Sequence, residues 1–228
     1  MKEPYAESTL RRFVRWLLRS VIRGIFKAIS RVGISGLDHV PDGGPYIIAC
    51  NHVSLFDPPL LLSFWPCAPE AAGAVEIWKR PGQSLLVRLY GTIPVHRGVY
   101  DRKLVESILS ALHAGRPLMI MPEGGRSHKP GLRLAEPGVA YIVERSGVPV
   151  VPVGITGTTD DFLKRALHGE KPEIRMTIGA PLILPDISGT GEDRRLARKR
   201  NADLIMQHIA RLLPQEYRGV YEFSANGS

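Results

Sequence analysis

A histidine and an aspartate five positions apart, His52 and Asp57, have the residue types and the spacing for acid–base chemistry. His52 follows the apolar residues 47–49, which we interpret as a buried strand, and a helix is predicted to start at Ser54. The carboxyl edge of such a sheet is where open α/β proteins keep their active sites. A turn between the two residues would bring the carboxylate back to the imidazole, fix its tautomer and leave the other ring nitrogen to accept a proton.

A structural role is the alternative for both residues. Ser54 and Asp57 have the spacing of a capping box, so Asp57 could simply cap the helix. His52 would then be a loop histidine whose ring is satisfied by local hydrogen bonds. The motif alone does not separate the two interpretations, because short motifs recur by chance.

Two further apolar runs end in polar residues. Residues 91–98, GTIPVHRG, are a predicted short strand that closes on His96 and Arg97. Residues 118–127, LMIMPEGGRS, are a buried strand followed by Glu123, Gly124, Gly125, Arg126 and Ser127. Glycines allow the backbone to approach a ligand closely, and an arginine can bind an oxyanion through two hydrogen bonds.

The remaining pattern predicts an α/β fold, because strands alternate with helices. We expect a single domain with a mixed, largely parallel sheet flanked by helices, which a chain of 228 residues can build around one core. The run 148–155, VPVVPVGI, is a predicted strand, and its Pro149 and Pro152 place it at an edge or an end of the sheet. A closing amphipathic helix is predicted over residues 193–213.

The N-terminal residues 10–29 are predicted to form one amphipathic helix, or two helices broken near Gly24. Basic residues recur every four positions, at Arg11, Arg15, Arg19, Arg23, Lys27 and Arg31. An arginine in every turn argues against a membrane span, and no signal-peptide cleavage region is found. Two interpretations remain, an interfacial helix on an anionic membrane or a surface helix packed on its own domain. We therefore divide the chain into a membrane-interfacial segment, residues 1–33, and a folded domain, residues 34–228.

The net charge of +8 belongs mainly to this N-terminal segment. Residues 1–35 hold eight basic and two acidic residues, whereas the rest holds 22 basic and 20 acidic ones. This distribution argues against a nucleic-acid partner and for an anionic membrane surface met by one element. Cys50 and Cys67 lie in apolar runs and favour a reducing cytosolic setting. No second Cys/His pair completes a metal site with Cys50 and His52, so we predict no bound metal. From the basic N-terminal segment we expect a peripheral or monotopic protein at the cytoplasmic face of the cell membrane.

Taken in order, the four strand ends NHVSLFD, GTIPVHRG, MPEGGRS and VPVGITG resemble those of a known family. They are similar to the four ordered blocks of the glycerolipid acyltransferases of the 1-acylglycerol-3-phosphate acyltransferase (PlsC-like) type. The resemblance covers roughly residues 35–157, and four blocks in the right order are a far stronger signal than any one of them.

The resemblance implies transfer of a fatty acyl group from acyl-CoA or acyl-carrier protein to the free hydroxyl of a lysophospholipid. The implied product from 1-acyl-glycerol-3-phosphate is phosphatidic acid. His52 would be the general base and Asp57 would orient its ring, with no metal and no bound cofactor. The implied phosphate-binding residues are Arg97, Glu123, Gly124 and Arg126, with Lys79 as a helper, and the residues that support the motifs are Asn51, Ser54, Gly125, Ser127 and Pro152.

Gly125 departs from the related motif, which usually has threonine at this position. The missing hydroxyl weakens the case for 1-acylglycerol-3-phosphate and leaves other lysolipid acceptors open. A second possibility, from a different functional class, is a membrane lipid-binding protein that kept the fold and lost the chemistry, although the presence of both His52 and Asp57 argues against it. A serine hydrolase is disfavoured because the chain has no G-x-S-x-G motif.

Overall fold

The computed structural model describes Tyr5, residues 7–98 and residues 101–222. Its strands are β1 (Arg31–Ser35), β2 (Ile47–Cys50), β3 (Glu70–Ala74), β4 (Ile93–Val95), β5 (Leu118–Ile120), β6 (Val150–Thr156) and β7 (Glu173–Ile178). Its α-helices are α1 (Thr9–Ile29), α2 (Asp57–Phe64), α3 (Gln83–Tyr90), α4 (Arg102–His113), α5 (Gly138–Ser146), α6 (Phe162–Leu167), α7 (Gly191–Arg211) and α8 (Gln215–Arg218). Short 3₁₀ helices cover Leu37–His39, Val75–Lys79 and Gly219–Tyr221.

The seven strands form one sheet in the order β1-β7-β6-β2-β5-β3-β4. Every neighbouring pair is parallel except β6 and β7, which are antiparallel. This confirms the predicted α/β fold with a mixed, largely parallel sheet. Because β2 lies between β5 and β6, the residues that follow all three strands meet at one edge.

Strand β6 is an interior strand, so our prediction of an edge or end position is wrong. Pairing with β7 begins only at Val153, which is aligned with Ile178. Pro152 precedes that ladder, and its carbonyl still accepts the N–H of Gly179 at 2.9 Å. The missing proline N–H can therefore affect only the end of the ladder with β7, and the strand tolerates proline inside the sheet.

Both faces of the sheet are covered, which explains the uninterrupted apolar run of β2. Ile47 and Ala49 face a core shared with α4, α5 and α7. Ile48 and Cys50 point the opposite way, into a core shared with α1, α2 and α6. Alternate residues of a strand face opposite sides of its sheet, so one four-residue segment contributes to both cores.

Helix α1 is continuous through Gly24 and is held to the body by arginines. Arg15 is fully buried and forms a bidentate ion pair with Glu70, with nitrogen–oxygen distances of 2.6 and 2.7 Å. Arg19 donates to the carbonyl of Leu62 at 2.8 Å, and Arg23 donates to that of Ser63 at 2.7 Å. We expected the basic residues of α1 to meet lipid head groups. For these three arginines that expectation is wrong, because they bind the buried Glu70 and the carbonyls at the end of α2 instead.

The opposite face of α1 is apolar and exposed. We call it the outer face, and its side chains are Leu10, Phe13, Trp16, Leu17, Val21 and Ile25. Arg12, Lys27 and Arg31 are also exposed. The helix thus packs on its own domain and still presents an apolar surface. The proposed boundary at residue 33 falls within β1, which pairs with β7. None of the described helices is long and apolar enough to cross a membrane.

Candidate active site

The loop after β2 is fixed to the neighbouring strand by Asn51. Its buried side chain donates to the carbonyl of Ile155 at 2.8 Å and accepts the N–H of the same residue at 2.7 Å. The amide thus continues the pairing of β2 with β6 one residue beyond the strand. His52 follows at once, so its position is set by the sheet rather than by a mobile loop.

The ring of His52 is paired with Asp57. Its Nδ1 lies 3.0 Å from Oδ2 of Asp57, and the carboxylate is fully buried. The same oxygen accepts the N–H of Ser54 at 2.8 Å, and the other oxygen accepts the hydroxyl of Thr158. With Nδ1 as the donor to this carboxylate, Nε2 is left as the proton acceptor.

Asp57 accepts the N–H of Ser54, as the spacing suggested, but this bond caps no helix, because the N-cap of α2 is Phe56 and has no side-chain hydrogen bond. Helix α2 begins at Asp57, three residues after the predicted start at Ser54. The residues between them form a turn in which the Ser54 hydroxyl accepts the N–H of Phe56 at 3.1 Å. Pro58 and Pro59 follow in the first helical turn, where their missing N–H groups leave no bond unmade.

Glu123 supports His52 from the loop after β5. One oxygen accepts the backbone N–H of His52 at 2.7 Å, and the other accepts that of Arg133 at 3.0 Å. Burial raises the pKa of Glu123 to about 7. Both oxygens therefore face backbone donors, and this geometry favours a positioning role for Glu123 over direct contact with a substrate head group.

The loop after β5 also pairs with the loop after β2 through its backbone. The N–H of Ser127 donates to the carbonyl of His52 at 2.8 Å, and that of His128 donates to Val53 at 3.0 Å. Gly124 has φ of +65°, and a Cβ there would lie 2.7 Å from Cγ of Glu136. Only glycine fits this turn without strain. The hydroxyl of Ser127 donates to the carbonyl of Lys129 at 2.7 Å and so stays within its own turn.

A groove of about 700 Å³ opens beside His52. Most of its lining is apolar and comes from α1, α2, β3, the 3₁₀ helix Val75–Lys79 and α3, including Leu18, Ile22, Phe26, Leu62, Ile77 and Val87. The polar lining contains Arg97, Gly124, Gly125, Arg126, His128 and Arg133. The groove therefore joins a proton acceptor, a long apolar surface and a group of guanidiniums.

The predicted phosphate-binding residues do not all reach this groove. Arg97 and Arg126 line it, whereas Lys79 is exposed at the end of its 3₁₀ helix and the adjacent Arg80 lines the groove instead. Arg126 lies 3.9 Å from the carboxylate of Asp160. Pro152 is buried in the sheet.

Four residues near the site were missed from the sequence: Thr158, Asp160, His128 and Arg133. Thr158 directly follows the VPVGITG block, so extending that block by one residue would have found it. The other three lie in loops that the fold brings together, as in the 3.0 Å contact between Nδ1 of His128 and Asp160. No group of three or more His, Cys, Asp and Glu side chains that could hold a metal ion occurs in the described part of the chain.

Comparison with known proteins gives a consistent set of relatives. A family model described as "Acyltransferase" matches residues 31–156, more than half of the chain. The lyso-ornithine lipid O-acyltransferase of Pseudomonas aeruginosa is 31% identical over an alignment of 173 residues that covers 68% of this chain and 64% of that protein. The 1-acyl-sn-glycerol-3-phosphate acyltransferase of Borreliella burgdorferi is 21% identical over an alignment of 154 residues that covers 66% of this chain and 62% of that protein. The chain thus spans less than two thirds of either relative.

A solved structure shares the fold. The crystal structure of the 1-acyl-sn-glycerophosphate acyltransferase PlsC from Thermotoga maritima superposes with a TM-score of 0.62 and 23% identity. The superposition covers 86% of this chain and 79% of that one.

Proposed function

Because the chain belongs to the acyltransferase family, we propose that it moves a fatty acyl group from a thioester to the free hydroxyl of a lysophospholipid. The observation that carries this proposal is the 3.0 Å contact between Nδ1 of His52 and buried Asp57, beside a groove that is apolar along most of its lining. A base next to an apolar groove suits a reaction between a hydroxyl and a fatty acyl thioester.

His52 is the general base in this reaction. Its Nε2 takes the proton of the acceptor hydroxyl while the hydroxyl oxygen attacks the thioester carbonyl. The carbon–sulfur bond then breaks, and the departing thiolate can recover that proton from the imidazolium. Asp57 stabilises the imidazolium, and the Ser54 N–H and the Thr158 hydroxyl keep the carboxylate in place.

In this reaction the guanidinium groups of Arg97 and Arg126 bind the head group of the acceptor. Fixed guanidiniums bind phosphate and carboxylate through paired hydrogen bonds. A 1-acyl-glycerol-3-phosphate, which would give phosphatidic acid, fits this chemistry. A lyso-ornithine lipid, the acceptor named for one relative, offers a carboxylate to the same groups and is the alternative acceptor. Holding the head fixes the hydroxyl near His52 and turns a two-molecule encounter into one within a complex.

The apolar part of the groove is proposed to hold acyl chain, with either acyl-CoA or acyl-carrier protein as the donor. The outer face of α1 is proposed to rest on an anionic membrane at its cytoplasmic side. Its Phe13 and Trp16 rings lie 5.9 Å apart, centroid to centroid, and both are more than half exposed. Aromatic and aliphatic side chains on one side of a helix are typical of interfacial binding.

The decisive experiment is a screen of the purified protein with radiolabelled acyl-CoA and acyl-carrier protein against lysophosphatidic acid, lyso-ornithine lipid and neutral monoacylglycerol. Acylated product in the parent, and its near-complete loss in His52→Ala, is the expected result. A second candidate function is lipid binding without turnover, and the intact His52–Asp57 pair argues against it. Lipid binding with no product from any pair of substrates would support that candidate and contradict the enzyme.

A further inference from the structure

The groove contains a third guanidinium that none of the four sequence blocks includes. Arg133 lies after the MPEGGRS block, and its backbone N–H is fixed by Glu123 at 3.0 Å. Its Nη1 donates to the carbonyl of Arg126 at 3.3 Å. The side chain is exposed and lines the groove with Arg97 and Arg126. Within the part of the chain that the structure describes, no carboxylate is in ion-pair distance of Arg133.

Gly125 leaves open the space next to the guanidinium of Arg133. A Cβ built on Gly125 would be 3.3 Å from Nη1 of Arg133 and 3.8 Å from Nη1 of Arg97. Both guanidiniums therefore border the volume that any side chain at position 125 would enter. A branched residue such as threonine would add two more heavy atoms to this volume and compete with Arg133 for it.

We propose that Arg133 is a specificity-determining residue that binds the oxyanion of the acceptor head in the space left open by Gly125. The proposal rests on the proposed acyltransferase function and adds a residue to its acceptor site. Its ligand chemistry is a phosphate or a carboxylate, since a planar guanidinium matches either group. Asp160 partly neutralises Arg126, whereas among the described residues neither Arg133 nor Arg97 has a carboxylate within ion-pair distance. These two guanidiniums therefore offer the positive charge that an anionic head requires.

The first test is equilibrium binding, which needs no turnover. Short-chain lysophosphatidic acid, lyso-ornithine lipid and monoacylglycerol would be titrated, below their micelle concentrations, into the parent and Arg133→Gln. Arg145→Gln is the matched control, because Arg145 is exposed on α5 and does not line the groove. Arg133→Gln should bind one or both anionic lipids roughly ten- to a hundredfold more weakly, the range for a lost charged hydrogen bond. The weakened lipid identifies the head group, phosphate or carboxylate.

Monoacylglycerol should bind equally to all three proteins. Equal binding of both anionic lipids by the parent and Arg133→Gln would overturn the proposal. So would an equal weakening for the neutral lipid, which would give Arg133 a structural role. Absence of turnover in the parent contradicts the proposed function but leaves this binding comparison valid.

The second test asks whether Gly125 and Arg133 share one volume. Gly125→Thr should weaken binding of the anionic lipid in the parent and have little further effect in Arg133→Gln. In the acylation assay the apparent KM for the acceptor should follow the same pattern, while the KM for the thioester stays constant. Additive effects of the two substitutions would contradict the shared site.

Discussion

The carboxylate of Asp57 is shared by His52 and Thr158. Nδ1 of His52 lies 3.0 Å from one oxygen, and the hydroxyl of Thr158 donates to the other. Both Asp57 and Thr158 are fully buried, whereas the imidazole is partly open to the groove. Ring orientation at the site therefore depends on Thr158, which lies beyond the end of β6 and 101 residues after Asp57 in the chain.

Removal of the base should stop catalysis without unfolding the protein. His52→Ala is expected to lower kcat by about 10²–10⁴-fold, the usual effect of losing a general base. Thioester release in the presence of the acceptor measures it, with circular dichroism as the check on folding. His113→Ala, at the exposed end of α4, is the control. A folded His52→Ala protein that retains parental activity would exclude His52 from the mechanism.

Thr158→Val should weaken catalysis through Asp57. Without the hydroxyl, one oxygen of the buried carboxylate loses its donor, and Asp57 holds the ring of His52 less firmly. We expect a drop in kcat of roughly tenfold, about the worth of one hydrogen bond to a charged group. The kcat at saturating substrate is the measurement, and Thr159→Val, whose hydroxyl bonds Asp161, is the control. A parental kcat in Thr158→Val would show that Thr158 only packs.

Glu123 should make stability depend on pH. Burial raises the pKa of Glu123 from 4.5 to about 7, so the folded protein holds this proton more tightly than the unfolded chain does. Its contribution to stability is therefore fully present below about pH 4.5 and is lost as the pH rises through about 7. Urea unfolding between about pH 5 and pH 8 should show the parent losing on the order of 2–3 kcal/mol relative to Glu123→Gln. Parallel curves would contradict a raised pKa.

Arg15→Met should destabilise the fold because it leaves Glu70 buried without its main partner. Breaking one side of a buried ion pair costs about 3–5 kcal/mol, and the lower end applies because Arg116 lies 3.5 Å from Glu70. The free energy of unfolding in urea is the measurement. The double variant Arg15→Met, Glu70→Leu should recover most of the loss. A neutral single variant would show that α1 is not held by this pair.

The outer face of α1 should bind vesicles mainly through apolar burial. Phe13→Glu with Trp16→Glu is expected to weaken sedimentation with anionic vesicles at least about tenfold, since burial of each ring is worth about 1.5–3 kcal/mol. The melting temperature should not change, because both side chains are exposed. Ile183→Glu, another exposed apolar residue, is the control. Parental sedimentation of the double variant would exclude this face.

The salt dependence of vesicle binding distinguishes apolar burial from electrostatic attraction. Arg15, Arg19 and Arg23 are engaged within the protein, so the screened contribution comes from exposed residues such as Arg12, Lys27 and Arg31. We expect binding to anionic vesicles to fall with salt only in part. Complete loss in high salt would mean that charge, not the outer face, holds the protein on the surface.

The sequence allowed the strands and the His52–Asp57 pair to be predicted because both depend on residues that are close together in the chain. Apolar runs that stop at polar residues indicate strand ends, and five residues bridged by a turn bring Asp57 to the ring. The position of β6 was not predictable from Pro152 alone. It depends on the register with β7, where pairing starts one residue later at Val153.

The orientation of α1 and the place of Arg133 needed the tertiary structure. Periodicity divides a helix into two faces but does not say which one the body covers, and the partner of Arg15 is Glu70, far along the chain. A guanidinium that pairs with a buried carboxylate can lie in the protein interior. The arginine face of α1 is therefore the one that packs on the body, whereas in most amphipathic helices the apolar face does so. The role proposed for Arg133 likewise could not be predicted from the sequence, because only the fold brings its guanidinium next to Gly125.

Ile25 belongs both to the outer face of α1 and to the lining of the groove. A bilayer against this face would therefore be continuous with the groove, and an acyl chain could slide sideways from one to the other. Release of a lipid into water costs about 0.8 kcal/mol for each methylene exposed, so a long chain faces a barrier of many kcal/mol on that route. The lateral path avoids this barrier, and the rate of supply would then follow diffusion of the lysolipid in the plane of the membrane.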